Sequence, residues 1–302
     1  MVVGYNAGVQ KILIVGSGDV ARRILSRLAP RARVYAVLRD AAKAAAWRAA
    51  GATPVLADLD DRSSLQRIAG LADLVLHLAP PPGEGRCDTR TRNLLAALGK
   101  AKSLPRQLIY VSTTGVYGDC GCAQIDETRR LNPESARAGR RVDAERQLRA
   151  WGKRCGVAVS ILRAPGIYAA DRLPLERLHK GLPALAEADD VYTNHIHADD
   201  LAAACLAALR HGGANRIYNA VDDSDLKMAA YFDKVADAFA LPRPPRLSRE
   251  EAAKQLSPVQ MSFLRESRRI GNRRLKNELK LSLAYPTVEA GIAAARRNPC
   301  SS

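Results

Sequence analysis

Apolar residues along the chain follow two alternating rhythms. Short aliphatic and β-branched runs at 11–15, 33–38, 53–56, 73–78 and 107–111 have the character of strands buried on both faces. Between them lie stretches with helical spacing. Val20, Ile24, Leu25 and Leu28 lead up to Pro30; then come 41–50, 62–69 with Asp58 or Asp60 as its cap, and 89–102. Such alternation predicts an α/β fold, a Rossmann-type doubly wound parallel sheet with right-handed crossovers and helices on both faces. After Gly181 the rhythm loosens. Residues 173–191, and those from Met228 onward, carry helical patterns broken by Pro242, Pro244, Pro245 and Pro258, which predicts a smaller, mainly helical C-terminal substrate lobe. The expected division is 9–172 as the main sheet domain, with 193–222 returning to its sheet, and 173–192 with 223–302 as the smaller lobe.

The first strand runs into Gly16-Ser17-Gly18-Asp19-Val20-Ala21 and then into helical spacing. Strand, glycine turn and helix in that order are the setting in which a GxGxxA pattern binds a dinucleotide. Gly16 allows the tight turn, Gly18 lets the backbone approach a pyrophosphate, and the small Ala21 lets helix and strand pack closely. The phosphates then lie against the positive end of the helix. Gly16, Ser17, Gly18, Asp19 and Val20 are therefore candidate cofactor residues. Asp58, after the third strand, and Leu78, Ala79 and Pro80, where the fourth strand gives way to a non-helical proline run, join them. His77 reads as a core histidine. At the end of the second strand, Arg39 precedes Asp40. An arginine there pairs with the 2′-phosphate of NADP, whereas an acidic residue accepts from the ribose of NAD. The order favours NADP, with NAD as the alternative if Asp40 turns inward.

The fifth strand opens into Ser112-Thr113-Thr114-Gly115-Val116-Tyr117-Gly118-Asp119, where side chains beyond the strand ends face the ligand crevice. Together with the glycine turn, this segment resembles the extended short-chain dehydrogenase/reductase superfamily, in its epimerase/dehydratase branch. The 161–168 segment, which includes Ala164, is similar to the exit of that family's sixth strand and puts Ala164 among the cofactor candidates. His195-Ile196-His197-Ala198-Asp199-Asp200-Leu201 is similar to its His-x-Asp-Asp-Leu segment. The resemblance implies a catalytic hydroxyl four residues before Tyr117, which is Thr113. It also implies a Tyr-x-x-x-Lys pair on the next helix, with a glutamate eight residues after the Tyr. If Glu145 is that glutamate, the pair falls on Arg137 and Arg141, and neither family residue is present. In the family the Tyr moves the proton and the Lys binds the nicotinamide ribose. Arginine stays protonated in proteins, so Arg137 cannot accept a proton, while Arg141 can still hold ribose hydroxyls. Thr113, Tyr117 and Arg141 are the candidate catalytic residues. Tyr117 is either a relocated acid/base, with Tyr168 behind it, or a packing residue.

Composition adds limits. With 47 Lys+Arg against 31 Asp+Glu, the formal charge is +16. The basic clusters at 129–154 and 246–280 lack interleaved aromatics, so they read as solvated helix faces and no nucleic-acid partner is expected. Arg243, Arg246, Arg268 and Arg269 are placed either to hold a substrate phosphate or carboxylate or simply as solvated surface arginines. Hydrophobic residues make up 47%, enough for a core, and no apolar run is long enough to span a bilayer. A cytoplasmic protein with no membrane partner is expected. Six scattered cysteines suggest neither a disulfide scaffold nor a zinc site. For His195, His197, Asp199 and Asp200 the family resemblance implies structural histidines and a helix cap at Asp199 or Asp200 rather than a metal site, and 222–225 reads as a turn with caps. The expected activity is that of an NAD(P)-dependent oxidoreductase of the epimerase/dehydratase type. It would act on an alcohol/carbonyl centre of a small-molecule substrate, a sugar nucleotide or another phosphorylated compound. The missing Tyr and Lys motivate the alternative, a catalytically degenerate dinucleotide-binding sensor. A homodimer is a family-based expectation.

Overall fold

The computed structural model describes residues 9–28 and 32–297. The first apolar run forms β1 (Lys11–Val15), and Gly16 ends it with a φ of 104°, a backbone state that glycine adopts without steric cost. α1 (Asp19–Leu28) then buries Ala21, Ile24 and Leu25; Pro30, expected to stop it, lies outside the described residues. β2 (Arg33–Leu38), α2 (Ala44–Ala49), β3 (Ala52–Leu56), β4 (Leu74–His77), α3 (Thr89–Leu98) and β5 (Gln107–Thr113) continue the alternation. α4 (Ala136–Cys155), β7 (Ala158–Ala164), α6 (Ala198–His211) and β12 (Arg216–Asn219) complete it.

Two local expectations change. The helix expected over 62–69 is a 3₁₀ turn, Ser64–Ile68, and neither Asp58 nor Asp60 caps it. Its two buried residues, Leu65 and Ile68, are three apart, a spacing that one tight turn serves as well as a helix. The Asp58 carboxylate instead accepts from the Asp60 N–H at 3.0 Å. The stretch over 41–50 starts as a 3₁₀ turn, Ala41–Lys43, capped by Asp40, before α2 begins.

The strand order is β12-β7-β5-β4-β1-β2-β3, with β1 parallel to β2 and β4, β2 to β3, and β4 to β5. The order reverses at β1, where successive strands switch sides of the sheet. In such sheets ligands bind beyond the strand ends at that reversal. Leu13, Val15, Val75, Leu108 and Tyr110 pack with Leu94, Leu98, Leu148 and Trp151 in an aliphatic core.

The described chain divides into two compact units, one formed by residues up to 112 with 135–162 and 205–217, the other by 113–134, 163–204 and from 218 onward. The second unit carries α5 (Leu175–His179), α7 (Met228–Ala238), α8 (Arg249–Gln255), α9 (Pro258–Phe263), α10 (Arg273–Asn277) and α11 (Val288–Arg297). Its short strands pair locally: β6 (Gln124–Ile125) with β15 (Arg269–Ile270), β8 (Gly166–Tyr168) with β11 (His195–His197), β9 (Ala184–Leu185) with β14 (Arg246–Leu247), and β10 (Tyr192–Thr193) with β13 (Leu226–Lys227). Tyr168, Phe232, Val235, Val288 and Ile292 form its main apolar cluster. Among the described residues no helix is long and apolar enough to cross a membrane.

Candidate functional site

The glycine turn is built by close backbone packing. A Cβ on Gly16 would lie 2.5 Å from the Ala79 amide nitrogen and 2.8 Å from the Leu78 carbonyl carbon, and the Leu78 N–H donates to the Val15 carbonyl at 2.7 Å. The exits of β1 and β4 thus touch at the switch point. Gly18 differs, because a Cβ there would meet nothing within 4 Å. No neighbouring protein atom demands a glycine at that position, and the space lies at the start of α1, whose first N–H groups lack partners within the helix. This open cradle fits a dinucleotide pyrophosphate. Asp19 is neutralised by Arg23 at 2.8 Å.

Arg39 is exposed at the end of β2, while the Asp40 carboxylate accepts from the Ala42 N–H at 2.9 Å and is committed to the turn it caps. The Asp58 N–H donates to Ser64 Oγ at 2.9 Å. Asp60 takes a two-pronged ion pair from Arg90, at 2.9 and 2.6 Å, and Arg90 also donates to the Pro80 and Pro81 carbonyls at 3.3 and 3.4 Å. Arg90 is not among the residues that the sequence motifs single out. The available signal was a cation in the first turn of α3, the end of a helix that disfavours positive charge.

At the end of β5, the buried Ser112 hydroxyl donates to Glu145 at 2.6 Å. Arg141 Nη1 donates to the Tyr110 hydroxyl and the Val111 carbonyl, both at 2.9 Å. A second network lies alongside: the Thr91 hydroxyl and N–H donate to Asp88, and His77 Nε2 meets the Thr91 hydroxyl at 2.9 Å. Burial, with Arg141 adding to it, drives the His77 pKa down to about 3, so the ring stays neutral, as a core histidine should. Burial raises the Asp88 carboxyl and the Tyr110 hydroxyl above their ordinary ranges.

Thr113 stands at the head of the 3₁₀ turn Thr114–Tyr117, and its Oγ1 accepts from the Gly115 N–H at 3.2 Å, which leaves the hydroxyl proton to donate. Tyr117 is 1% exposed. Its hydroxyl donates to Asn219 Oδ1 at 2.7 Å, and the Arg163 guanidinium covers its ring at 4.8 Å. Asn219 is itself held, its N–H donating to Glu127 at 2.9 Å and its side-chain amide to the Gly271 carbonyl at 3.2 Å. The hydroxyl is engaged by a buried amide, an arrangement that supports the packing role of Tyr117 over the acid/base one. Tyr117→Phe is expected to lower stability by about 1–3 kcal/mol, because it strands the Asn219 oxygen, and to leave turnover nearly unchanged; denaturant titration and steady-state kinetics check both. Tyr168, the second choice, donates to the Thr287 carbonyl at 3.2 Å, and burial, reinforced by Asp222, raises its hydroxyl pKa. Ala164 ends β7 at 3% exposure.

Other expectations are corrected by their partners. Asp200 lies within the first turn of α6 and accepts from the Ala284 and Tyr285 N–H groups at 2.8 and 2.9 Å, so it pins a distant segment rather than capping the helix. The Asp199 N–H donates to His197 Nδ1 at 3.2 Å. The His195 and His197 rings lie against Tyr231 and Tyr285, with centroids at 4.2 and 3.8 Å. Among the described residues no group of three or more His, Cys, Asp or Glu is placed to hold a metal ion. Asp222 accepts from the Ser224 N–H at 3.0 Å as a turn, with a two-residue strand after it instead of a helix. Arg243, Arg246, Arg268 and Arg269 are paired with Asp237, Asp233, Glu266 and Asp225, which removes the charge an anion site there needs.

Comparison with known proteins follows the same lines. The model of the NAD dependent epimerase/dehydratase family matches residues 12–220. The chain is 29% identical to a GDP-6-deoxy-D-mannose reductase of Pseudomonas aeruginosa over 193 residues, 55% of this chain and 63% of that protein. It therefore spans less than two thirds of that relative. A functionally unknown conserved protein from Silicibacter pomeroyi superposes with a TM-score of 0.79 at 28% identity, over 96% of this chain and 99% of the other. The UDP-glucose 4-epimerase of Thermotoga maritima, with UDP-glucose, gives 0.78 at 17% identity, over 95% and 97% of the two chains. The Bacillus anthracis dTDP-glucose 4,6-dehydratase, in complex with NAD, gives 0.75 at 15%, over 96% of each, and at such identities the likeness is one of fold. A family match over 12–220, on a sheet whose strand exits meet at the glycine turn, places this chain in the NAD dependent epimerase/dehydratase family.

Proposed function

We propose that the protein is an NADP-preferring oxidoreductase acting on an alcohol or carbonyl centre of a sugar nucleotide or other phosphorylated small molecule. The observation that carries this reading is the glycine cradle: Gly16 pressed on Ala79 and open space at Gly18 before α1. The family supplies the chemistry class, and the similarity to a GDP-6-deoxy-D-mannose reductase supports a nucleotide-linked sugar. A nicotinamide bound beyond the strand ends would give or take a hydride at its C4 position. Gly16, Ser17, Gly18, Asp19 and Val20 would hold the pyrophosphate. Arg39 would meet the 2′-phosphate, with Asp58, Leu78, Ala79, Pro80 and Ala164 along the rest of the cofactor. Thr113 would donate its hydroxyl proton to the reacting oxygen, and Arg141, spending Nη1 on Tyr110 and Val111, would keep its other guanidinium nitrogens for the ribose.

The test is a screen of GDP-, UDP- and dTDP-linked sugars with NADPH and NADH, following absorbance of the reduced nicotinamide. Thr113→Val is expected to cut turnover by about 100-fold or more with little change in dinucleotide affinity, the size typical of losing an aimed donor or proton-transfer group. Full turnover in that variant would remove Thr113 from the chemistry.

A second reading, a dinucleotide-binding sensor without catalysis, is favoured by one specific observation. Arginines hold both positions of the family pair, and Tyr117 is engaged with Asn219. Tight dinucleotide binding together with inactivity across the whole screen would select it.

A further inference from the structure

We infer that Arg90 sets the selectivity for a 2′-phosphorylated dinucleotide by neutralising the Asp60 carboxylate beside Arg39. The inference rests on the cofactor reading above. The Ala57 N–H donates to the Leu38 carbonyl at 3.0 Å, which places Arg39, the next residue, against the loop that begins at Asp58. Asp60 lies in that loop. Its carboxyl is held below the usual range first by the hydrogen bond and charge of Arg90, and then by the charge of Arg39, so all three groups share one electrostatic neighbourhood. Among the described residues Arg39 makes no hydrogen bond or ion pair.

Arg90, on which Asp58 and Asp88 also act, is paired with Asp60, which leaves Arg39 as the cation at the edge where a 2′-phosphate would arrive. Arg90 engages both Asp60 oxygens with the fork geometry that arginine alone provides, so Arg39 remains available. Without Arg90, the Asp60 carboxylate would pair with Arg39 or repel the phosphate. NADH lacks that phosphate and would not register the change. Arg90 is thus a positioning residue that acts through Asp60. Its bonds to the Pro80 and Pro81 carbonyls offer a competing role, bracing the loop after β4, and that role would affect both dinucleotides alike.

Isothermal titration of NADPH and NADH into the unaltered protein, Arg90→Gln, Asp60→Asn and the double variant separates these roles. Arg90→Gln is expected to weaken NADPH about tenfold and NADH less than about twofold, and the double variant to return NADPH to within about threefold of the unaltered protein. Parallel weakening of both dinucleotides by Arg90→Gln, or a double variant as weak as the single one, overturns the inference. The unaltered protein's own preference tests the other reading. An NADH-preferring protein ends the NADP assignment, yet Arg90→Gln must still lower NADPH affinity relative to NADH. If neither dinucleotide binds the unaltered chain, both fall.

Discussion

Gly16→Val is expected to abolish dinucleotide binding and to destabilise the fold by roughly 3–5 kcal/mol, whereas Gly18→Val is expected to leave stability nearly unchanged and still weaken binding by at least about tenfold. The two glycines are two residues apart but answer to different neighbours. A side chain at Gly16 would need a φ of 104° and would drive its Cβ to 2.5 Å from the Ala79 amide nitrogen. Backbone cannot yield there without parting β1 from β4, at the centre of the sheet. At Gly18 the same addition meets nothing within 4 Å. Its cost appears only when a ligand needs that volume. Thermal unfolding together with NADPH titration reads both effects. Wild-type affinity in Gly18→Val would mean that the pyrophosphate lies elsewhere, and an undiminished melting temperature in Gly16→Val would mean that the strand exits are not packed as described.

The second large effect is a pH dependence of stability centred on Asp222. Burial, the largest cause, raises its carboxyl from 3.8 to about 7, with Asp223 and Glu289 adding in the same direction and the Ser224 hydrogen bonds opposing. One carboxyl oxygen is buried without a hydrogen-bond partner. Between these two pKa values the folded state holds a proton that the unfolded state has released. Stability from this group is therefore fully present below about pH 4 and is lost as pH rises to about 7, for a total of about 4 kcal/mol. His77 and His195, lowered by burial to about 3 and about 4, act in the opposite sense in the acid range. The comparison with Asp222→Asn isolates the carboxyl, since asparagine keeps the acceptor for the Ser224 N–H and carries no charge. Urea titrations across the pH range should show the wild type losing stability toward neutrality relative to the variant. Parallel curves would show that Asp222 ionises at its ordinary pKa.

The α/β order and the glycine turn are legible along the chain. They depend on short continuous apolar runs, on a periodicity of 3.6 residues, on the φ that a turn requires, and on residue identity at a short spacing, all of which are local. The 3₁₀ turn at Ser64–Ile68 is the local exception, because Leu65 and Ile68 satisfy a helix and a tight turn equally well. The site's partners are a different matter. Tyr117 finds Asn219 across 102 residues and Asp60 finds Arg90 across 30. Gly16 meets Ala79 because β1 pairs with β4. A hydroxyl, a carboxylate or a guanidinium carries no mark of which distant group will meet it, since that choice is made when strands pair and loops close around a buried core. The residue types thus set the chemistry open to this chain, and the tertiary structure decided that Tyr117 meets Asn219, that Arg90 holds Asp60, and that the space at Gly18 stays open.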